Sequence, residues 1–270
     1  FIKKKQIFFI VLDLSNPKFL KKKIFLEIVK ILSNLKIPLI IFDDFSKQIY
    51  KNLKFFSKFI IVCPYIYDNK FIKNKRKKYP NLFVGTKYAV LQKNEKFKKK
   101  NLKLKKVLIS CGGTDFKKLT LKLIQILKKN SYLKICVIIG PHFDKREKSK
   151  ILSLENKNIK IMSNVDNICK VAKNYDLGII TSGLTKYELL SIRMRFAVIS
   201  ENKEFFRFHY PFSRKKLCYD LGYFKNFKLL EAKINNLIYN FKNFDQLVKF
   251  KSIDTNGSDR LIKIAQRKFI

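Results

Sequence analysis

The residues best suited to hold an anion form a turn in the second half of the chain, Thr181-Ser182-Gly183-Leu184-Thr185. The apolar or small residues before it, 177–180, predict a short buried strand, and the residues from Thr185 onward predict a helix. Gly183 lets backbone N–H groups approach a ligand closely, and the start of a helix favours negative charge. A phosphate is therefore the expected ligand of residues 182–185.

Glu188 carries the second part of this signal. A carboxylate in the first helical turn, beside a phosphate site, can accept hydrogen bonds from the vicinal diol of a ribose. The pattern Thr185-x-x-Glu188 also fits a capping box, which stabilises the start of a helix without any ligand. On this stretch alone the capping box is favoured, so a ligand site requires a second loop of the same kind.

A second loop follows residues 107–110, which predict a strand. Gly112-Gly113 forms a turn there, ahead of an amphipathic helix predicted over residues 119–127. The glycines permit close backbone approach, and Thr114 or Asp115 can cap the helix. The pattern is not the Gly-x-Gly-x-x-Gly dinucleotide fingerprint, so neither NAD nor any other cofactor is expected. Taken alone, the loop is an ordinary βα turn.

The elements that must position these loops alternate between strand and helix over residues 107 to about 245. Further strands are predicted at 133–140, 159–162 and 196–200, and further helices at 145–154, 167–173 and 229–239. This alternation is typical of an open, mostly parallel sheet, which binds ligands beyond the carboxyl ends of its strands. Both glycine loops and the turn Ser163-Asn164-Val165 follow strands, so we expect them on one edge, as a nucleotide diphosphate site.

The first part of the chain predicts a similar arrangement. Strands are predicted at 6–12, 38–42 and 59–63 and a helix at 21–34, followed by a very basic stretch at 69–78. The fold class is therefore α/β with two Rossmann-like domains. Residues 1–104 form a partial first domain with a Lys-rich linker at 93–106, residues 105–250 form the second, and 251–270 form a closing helix. Asp13 ends the first strand and is the candidate to face a cleft.

Charge is the unusual property of this composition, because 60 Lys and Arg against 20 Asp and Glu give a net charge of +40. Such a charge is typical of proteins that bind nucleic acid or an anionic membrane surface. Most of it is Lys, spread along the whole chain together with many Ile, Phe and Asn residues, which share A/T-rich codons. Codon bias is therefore favoured, and no specific nucleic-acid partner is expected because Arg-rich, aromatic-interleaved stripes are missing.

The five cysteines are widely spaced and form no Cys-x-x-Cys pair, so they are expected to be buried thiols in a reducing cytosol. The two histidines, His142 and His209, are too few for a metal cluster, and no metal site is expected. No apolar run reaches the roughly 18 residues of a membrane span, and the N-terminus has no signal-peptide pattern. A cytoplasmic protein without a transmembrane segment is expected.

The stretches 107–115 and 180–188 together resemble the C-terminal domain of GT-B sugar-nucleotide enzymes. They are most similar to the hydrolase family of pseudaminic acid biosynthesis that acts on UDP-2,4-diacetamido-2,4,6-trideoxy-β-L-altropyranose, and to the related spore-coat polysaccharide proteins. The lipid II N-acetylglucosaminyltransferase is a more distant resemblance. The closing motif Asp254-x-x-Gly257-x-x-Arg260 resembles the ending of the hydrolase family, and the similarity extends back to about residue 7.

This resemblance implies a UDP-sugar site on the loops that follow the predicted strands. Its implied residues are Gly112, Gly113, Thr114, Val165, Ser182, Gly183, Leu184, Thr185, Glu188 and Asn202. By the resemblance, Val165 would bond uracil through its backbone and residues 182–185 would hold the diphosphate. Glu188 would bind the ribose and Asn202 the sugar.

The chain departs from the family pattern at three places. The family commonly has two glycines where this chain has Ser182-Gly183, and often Gly and Pro where it has Arg193 and Arg195. Its first βα loop, a Gly-x-Gly-His motif with a histidine thought to act in catalysis, has no counterpart here. The chain is therefore expected to begin downstream of that loop. No catalytic base is visible in the sequence, so the catalytic residue is unknown, with Asp13 as a candidate.

The resemblance implies a UDP-sugar hydrolase that releases UDP from a diacetamido-trideoxy hexose in nonulosonic (pseudaminic) acid biosynthesis, as an N-truncated form. Two alternatives stay open: a GT-B glycosyltransferase with a UDP-sugar donor, and a non-catalytic basic binding protein with a degenerate Rossmann-like domain. Hydrolysis needs a base that activates water and N–H or cationic groups that hold the departing diphosphate. The loop 181–185 and nearby lysines meet the second need, whereas His142 is expected on a surface loop and His209 in an aromatic surround.

Overall fold

The computed structural model describes residues 8–13, 22–42, 56, 58–67, 69–96, 103–249 and 253–269. Contacts divide the chain into two compact units, one formed by Phe1–Leu91 with Asp254–Ile270 and the other by Gln92–Ile253. In this grouping the closing residues belong to the first unit. The domain boundaries placed at 104 and 250 from the sequence remain predictions.

The first unit is built on four parallel strands. They are β1 (Ile10–Asp13), β2 (Leu39–Phe42), β3 (Phe59–Cys63) and β4 (Leu82–Val84), hydrogen-bonded in that order. Helices α1 (Lys22–Leu35) and α2 (Asn69–Lys78), the short 3-10 helix Thr86–Tyr88 and the closing helix Gly257–Phe269 complete it. Alternate residues of β2 and β3 enter separate apolar clusters, so both strands are buried on both faces.

Two elements of the first unit, α2 and β4, were not predicted from the sequence. Helix α2 contains almost no apolar residues, so it lacks the period that marks an amphipathic helix. Its last turn carries Lys75, Arg76, Lys77 and Lys78, whose charges favour a helix C-terminus. Strand β4 has only three residues and gains its register from β3, which no local pattern reveals.

The second unit is a six-stranded parallel sheet with helices between its strands. The strands are β5 (Lys106–Ser110), β6 (Lys134–Ile139), β7 (Ile159–Ser163), β8 (Leu177–Thr181), β9 (Phe196–Ser200) and β10 (Tyr219–Tyr223). The helices are α3 (Leu119–Leu127), α4 (Lys145–Leu152), α5 (Ile168–Ala172), α6 (Thr185–Ser191), α7 (Lys203–Arg214), α8 (Phe227–Tyr239) and α9 (Phe244–Leu247), with a 3-10 turn at Phe241–Asn243.

The strand order of this sheet is β7-β6-β5-β8-β9-β10, and all neighbouring pairs are parallel. In the order of their appearance, this is the 3-2-1-4-5-6 order of a doubly wound Rossmann sheet. Every residue of β8 and β9 is buried, as expected of parallel strands that helices cover on both faces. The predicted α/β class with Rossmann-like domains is therefore confirmed.

Helix α7 and strand β10 lie in a segment to which the sequence analysis assigned no element. Helix α7 contains Pro211, and an internal proline argues against a helix because it removes a donor. Its aromatic residues also fall on adjacent positions, which hides the apolar face formed by His209 and Phe212. Asn202 caps this helix, since its side-chain oxygen accepts a 2.9 Å hydrogen bond from the N–H of Phe205.

All five cysteines are buried thiols within the described part of the chain, as predicted. Their burial raises the pKa of the Cys111, Cys136, Cys169 and Cys218 thiols, which keeps them protonated and unreactive. Across the described residues, every helix is too short or too polar to span a lipid bilayer.

The turn after α6 contains Arg193 and Arg195, the two arginines noted in the sequence. Arg193 takes a left-handed φ of 59°, its N–H donates to the Leu190 carbonyl, and the Met194 N–H donates to the Leu189 carbonyl. These two bonds form a Schellman motif, in which glycine is the usual left-handed residue. Arg195 is 2% exposed, and its guanidinium binds both oxygens of Asp245 at 2.7 and 2.9 Å.

We predict that Arg193→Gly raises the free energy of unfolding of the full chain by roughly 0.5–1 kcal/mol, because glycine removes the steric cost of the left-handed backbone. The matched control is Lys128→Gly at the end of α3, where φ is −62°. Glycine there should lower the free energy of unfolding by a similar amount. Urea denaturation followed by circular dichroism measures both, and equal destabilisation by the two variants would contradict the prediction.

Candidate functional site

The two glycine-bearing loops meet at the centre of the second sheet. Strands β5 and β8 are neighbours, paired in parallel with Ser110 opposite Ile180. The chain leaves β5 toward β6 on one side and leaves β8 toward β9 on the other, so the strand order reverses between them. In doubly wound sheets, the crevice at such a switch point, beyond the carboxyl ends of the strands, is where ligands bind. A Cβ on Gly112 would lie 3.4 Å from the Thr181 hydroxyl, so the loops are adjacent.

The loop after β5 is held in place by the end of β6. Gly112 has a left-handed φ of 76°, which glycine adopts without strain. Gly140 ends the neighbouring strand, and a Cβ there would lie 2.2 Å from the Gly112 carbonyl oxygen and 2.6 Å from that of Gly113. The His142 N–H donates to the same Gly113 carbonyl at 2.9 Å. His142 itself is exposed, as predicted for a surface-loop histidine.

Asp115 lies just before helix α3 and accepts hydrogen bonds from its first residues. It is 1% exposed, and its two carboxylate oxygens accept hydrogen bonds from the N–H groups of Leu119 and Thr120, both at 2.8 Å. Burial raises the pKa of this carboxyl, and the hydrogen bonds oppose part of that rise. The Asp115 carboxylate already accepts hydrogen bonds from the first N–H groups of α3. An anion at this loop would therefore contact the backbone of Gly112 and Gly113 rather than the N-terminus of the helix.

The predicted capping box at Thr185-x-x-Glu188 does not form. Leu184 occupies the N-cap position without a side-chain hydrogen bond, and Thr185 is already the first helical residue. Glu188 is half-buried, and this burial raises the pKa of its carboxyl while the Thr185 hydroxyl counteracts part of the effect. The interpretation of Glu188 as a cap is therefore wrong, and its carboxylate remains suited to accept hydrogen bonds from a ligand.

Two glycines at the switch point, Gly113 and Gly183, differ from Gly112 and Gly140. Neither Gly113 nor Gly183 has a left-handed φ, and a Cβ at either position would meet no atom within 4 Å. Both residues are exposed. Neither the backbone conformation nor the packing of the described residues requires glycine at these two positions. What the missing side chains do provide is open access to the backbone of two adjacent loops, which is what a ligand that bonds backbone N–H groups needs.

The remaining predicted site residues lie at different distances from the switch point. Thr114 and Leu184 are exposed on the two loops, and Ser182 is half-buried beside Gly183. Val165 follows β7, at the same edge of the sheet but two strands away from β5. Asn202 follows β9, and its side-chain oxygen is committed to the cap of α7. Asp13 ends β1 in the first unit and is exposed.

The histidine His209 is fully buried, whereas its aromatic surround in the sequence predicted a packed or partly exposed side chain. Burial and the nearby Lys186 lower its pKa to about 4, so the imidazole is neutral at physiological pH. Its Nε2 lies 3.8 Å from the Cys218 sulfur and 3.7 Å from the Asp220 carboxylate. No group of three or more His, Cys, Asp and Glu side chains within the described ranges is arranged to hold a metal ion.

Lys186 is a charged residue beside the second loop that was not singled out from the sequence. It is 4% exposed, and its ammonium donates a 2.8 Å hydrogen bond to the Ser182 carbonyl. The available signal was its spacing, because residues four apart on a helix share one face and Lys186 stands four positions after Ser182. In a chain with 60 Lys and Arg residues, that signal was lost among many exposed lysines.

Comparison with known proteins places this geometry in a known fold. The UDP co-structure of Staphylococcus aureus MnaA matches 97% of this chain and 76% of its own, with a TM-score of 0.64 and 11% identity. The Neisseria meningitidis UDP-GlcNAc 2-epimerase bound to UDP-GlcNAc matches 96% and 75%, with a TM-score of 0.55 and 11% identity. Acinetobacter baumannii MurG matches 88% and 69%, with a TM-score of 0.54 and 14% identity. The fold is GT-B-like.

The sequence comparisons are narrower than the structural ones. No family model matches the chain. An uncharacterized protein of Methanocaldococcus jannaschii is 30% identical over 209 aligned positions, which cover 66% of this chain and 43% of that protein. The chain therefore spans less than half the length of this relative. The structural similarity to these proteins establishes a shared fold. Because the sequence identities are 14% or less, they do not indicate which reaction the chain catalyses, and that question must be argued from the residues of the site.

We predict that Gly140→Ala destabilises the chain by about 1–3 kcal/mol, because its methyl group overlaps the Gly112 and Gly113 carbonyl oxygens. Gly113→Ala is the matched control, since its methyl group enters open space and should change stability by less than about 0.5 kcal/mol. Thermal denaturation of both variants compares the two positions. A Gly113→Ala variant as unstable as Gly140→Ala would show that Gly113 is required by the fold.

Proposed function

We propose that the second unit binds the uridine diphosphate moiety of a UDP-sugar at the switch point between β5 and β8. The observation that carries this proposal is the pair Gly113 and Gly183, two exposed glycines on adjacent loops that neither conformation nor packing requires. Backbone N–H groups without neighbouring side chains are the groups that bind phosphate oxygens in Rossmann-like proteins. The fold shared with MnaA and the UDP-GlcNAc 2-epimerase supports a uridine nucleotide as the ligand.

The proposed contacts follow from the position of each loop. Gly112, Gly113 and Thr114 face the nucleotide from the end of β5, and residues 182–185 hold the diphosphate from the end of β8. Glu188 accepts hydrogen bonds from the ribose hydroxyls, because it is half-buried beside the second loop and does not cap its helix. Val165 bonds the uracil through its backbone, and Asn202 contributes to the sugar pocket through the part of its amide that does not cap α7.

The proposed reaction is the hydrolysis of a UDP-sugar whose sugar is a diacetamido-trideoxy hexose. Water attacks the anomeric carbon, the bond from that carbon to the diphosphate oxygen breaks, and UDP leaves with the electron pair while a base accepts the proton of water. The loop backbone and nearby lysines stabilise the departing diphosphate. The resemblance at 107–115, 180–188 and 254–260 supports the choice of substrate.

UDP titration of the full chain by calorimetry tests the binding site. Gly183→Ala should weaken UDP binding by about tenfold or more without a change in melting temperature, because its methyl group crowds only the space left for the ligand. Absence of heat with the wild-type chain would remove the proposal, and salt-dependent binding of nucleic acid in its place would favour a basic binding protein. If Gly183→Ala and the wild type bind UDP with equal affinity, the phosphate site does not lie at Gly183.

Glu188→Ala should weaken UDP binding by more than tenfold, since a lost charge-assisted contact to a ribose hydroxyl corresponds to about 1.5–3 kcal/mol. The same variant should bind inorganic pyrophosphate as the wild type does, because that ligand has no ribose. Glu231→Ala is the control for charge: this carboxylate pairs with Lys129 on the protein surface, where a salt bridge contributes little. Unchanged UDP affinity of a folded Glu188→Ala would exclude the ribose contact.

Product analysis with UDP-2,4-diacetamido-trideoxy hexose separates the reactions open to this fold. Free sugar together with UDP is the expected result. A glycosylated acceptor would identify a glycosyltransferase, and an isomerised UDP-sugar would identify an epimerase.

A further inference from the structure

Lys186 is a buried cation beside the second glycine loop. It is 4% exposed and belongs to α6, which packs against β8 where Gly178 leaves room for Leu189, 3.0 Å from the position of a Cβ. Its ammonium lies 5.2 Å from the centre of the Tyr187 ring and 5.5 Å from that of the Phe212 ring. Both rings are buried, so the charge is enclosed by aromatic faces, which attract a cation.

The hydrogen bonds of this ammonium are incomplete. It has three N–H groups, and the one described partner is the Ser182 carbonyl at 2.8 Å. Among the described residues, no carboxylate lies within salt-bridge distance of its Nζ. The charged or titratable groups that influence it from other elements are Glu201 after β9, His209 on α7 and Cys218 before β10. Burial of an ammonium without a counter-ion is costly, and a methionine would fill the same space without that cost.

The bond from Lys186 fixes the direction of one peptide group. The carbonyl of Ser182 and the N–H of Gly183 belong to the same trans peptide plane and point in opposite directions. Because the Ser182 carbonyl is turned toward the buried ammonium, the Gly183 N–H is turned away from the interior. Gly183 is exposed and a Cβ at this position would meet no atom within 4 Å, so a ligand can approach the loop here.

We propose that Lys186 is a positioning residue for the diphosphate: its bond to the Ser182 carbonyl aims the Gly183 N–H outward, and its buried charge attracts the anion through the loop. This inference rests on the proposed UDP site and adds a residue outside the glycine motifs themselves. The electrostatic part is strong because a charge enclosed by protein is screened less than one in water. The anion in turn supplies the counter-ion that the described residues do not.

The protonation of Lys186 gives the proposal a distinctive pH dependence. Burial lowers the pKa of its ammonium from 10.5 to about 8. The charged form dominates below that pKa and is lost as the pH rises through it, and a bound anion moves the transition to higher pH. The contribution of Lys186 to anion affinity is therefore present at neutral pH and declines in alkaline solution.

Lys186→Met tests the proposal because methionine matches the length of lysine and suits a buried, aromatic site. At neutral pH, UDP affinity measured by calorimetry should fall about tenfold, while the affinity for uridine, measured by NMR, should stay within about twofold. The ratio of wild-type to variant UDP affinity should shrink from one pH unit below the lysine pKa to one unit above it. Lys186→Arg, which keeps the charge and the donor, should recover most of the UDP affinity.

Lys170→Met is the control, since it removes one exposed positive charge from the neighbouring α5 and should leave UDP affinity unchanged. If wild-type UDP binding is normal and Lys186→Met binds UDP equally well at every pH, the inference is overturned and the UDP site stands. If the wild type binds no UDP, the proposed function fails and the inference fails with it. If Lys186→Met does not fold, the test uses the wild type alone, by comparing its affinities for UDP and uridine below and above the lysine pKa. The proposal is overturned if the UDP affinity does not fall relative to the uridine affinity above that pKa.

Discussion

The parallel pairing of β5 with β8 is the constraint on which the rest of the second unit depends. These two strands are separated by nearly 70 residues of chain. Their register, which sets Ser110 opposite Ile180, brings their ends together. Strand–helix–strand crossovers in such sheets are right-handed, so the helices after β5 and β8 cover opposite faces. A crevice between the two loops is the direct result, and the glycines gain a common function only because of it.

The glycines at this crevice divide into two groups that the sequence cannot separate. Gly112 and Gly140 serve the fold: one takes a left-handed conformation and the other lets two loops approach to distances that no side chain allows. Gly113 and Gly183 stand in open space with unstrained backbones. Glycines in neighbouring loops therefore have two different roles. Replacing a glycine that the packing requires should lower stability, whereas replacing Gly113 or Gly183 should affect ligand binding without a loss of stability.

Two buried charges in this unit are matched by specific contacts. Asp115 accepts two backbone N–H groups, and Arg195 binds both oxygens of Asp245. Lys186 differs, because one carbonyl and two aromatic faces are its described partners. An incompletely satisfied buried charge beside an open loop is the expected state of a site that an anion completes, since buried ions are stable only when paired and hydrogen-bonded. The same physics explains why the exposed lysines of this very basic chain carry no comparable information.

The sequence by itself determined the fold class, eight of the ten strands in the described residues and the two glycine loops, because apolar period and small residues are local signals. It did not reveal α2 and α7, whose basic or proline-containing sequences hide a helical period, or β4 and β10, which gain their register from neighbouring strands. Nor could it decide between a cap and a ligand contact for Glu188. Only the tertiary structure showed that Leu184 is the N-cap of α6, that Arg193 adopts a left-handed turn, and that β5 and β8 are adjacent. These facts depend on contacts between residues distant in the chain, and such contacts leave no pattern in a single stretch of sequence.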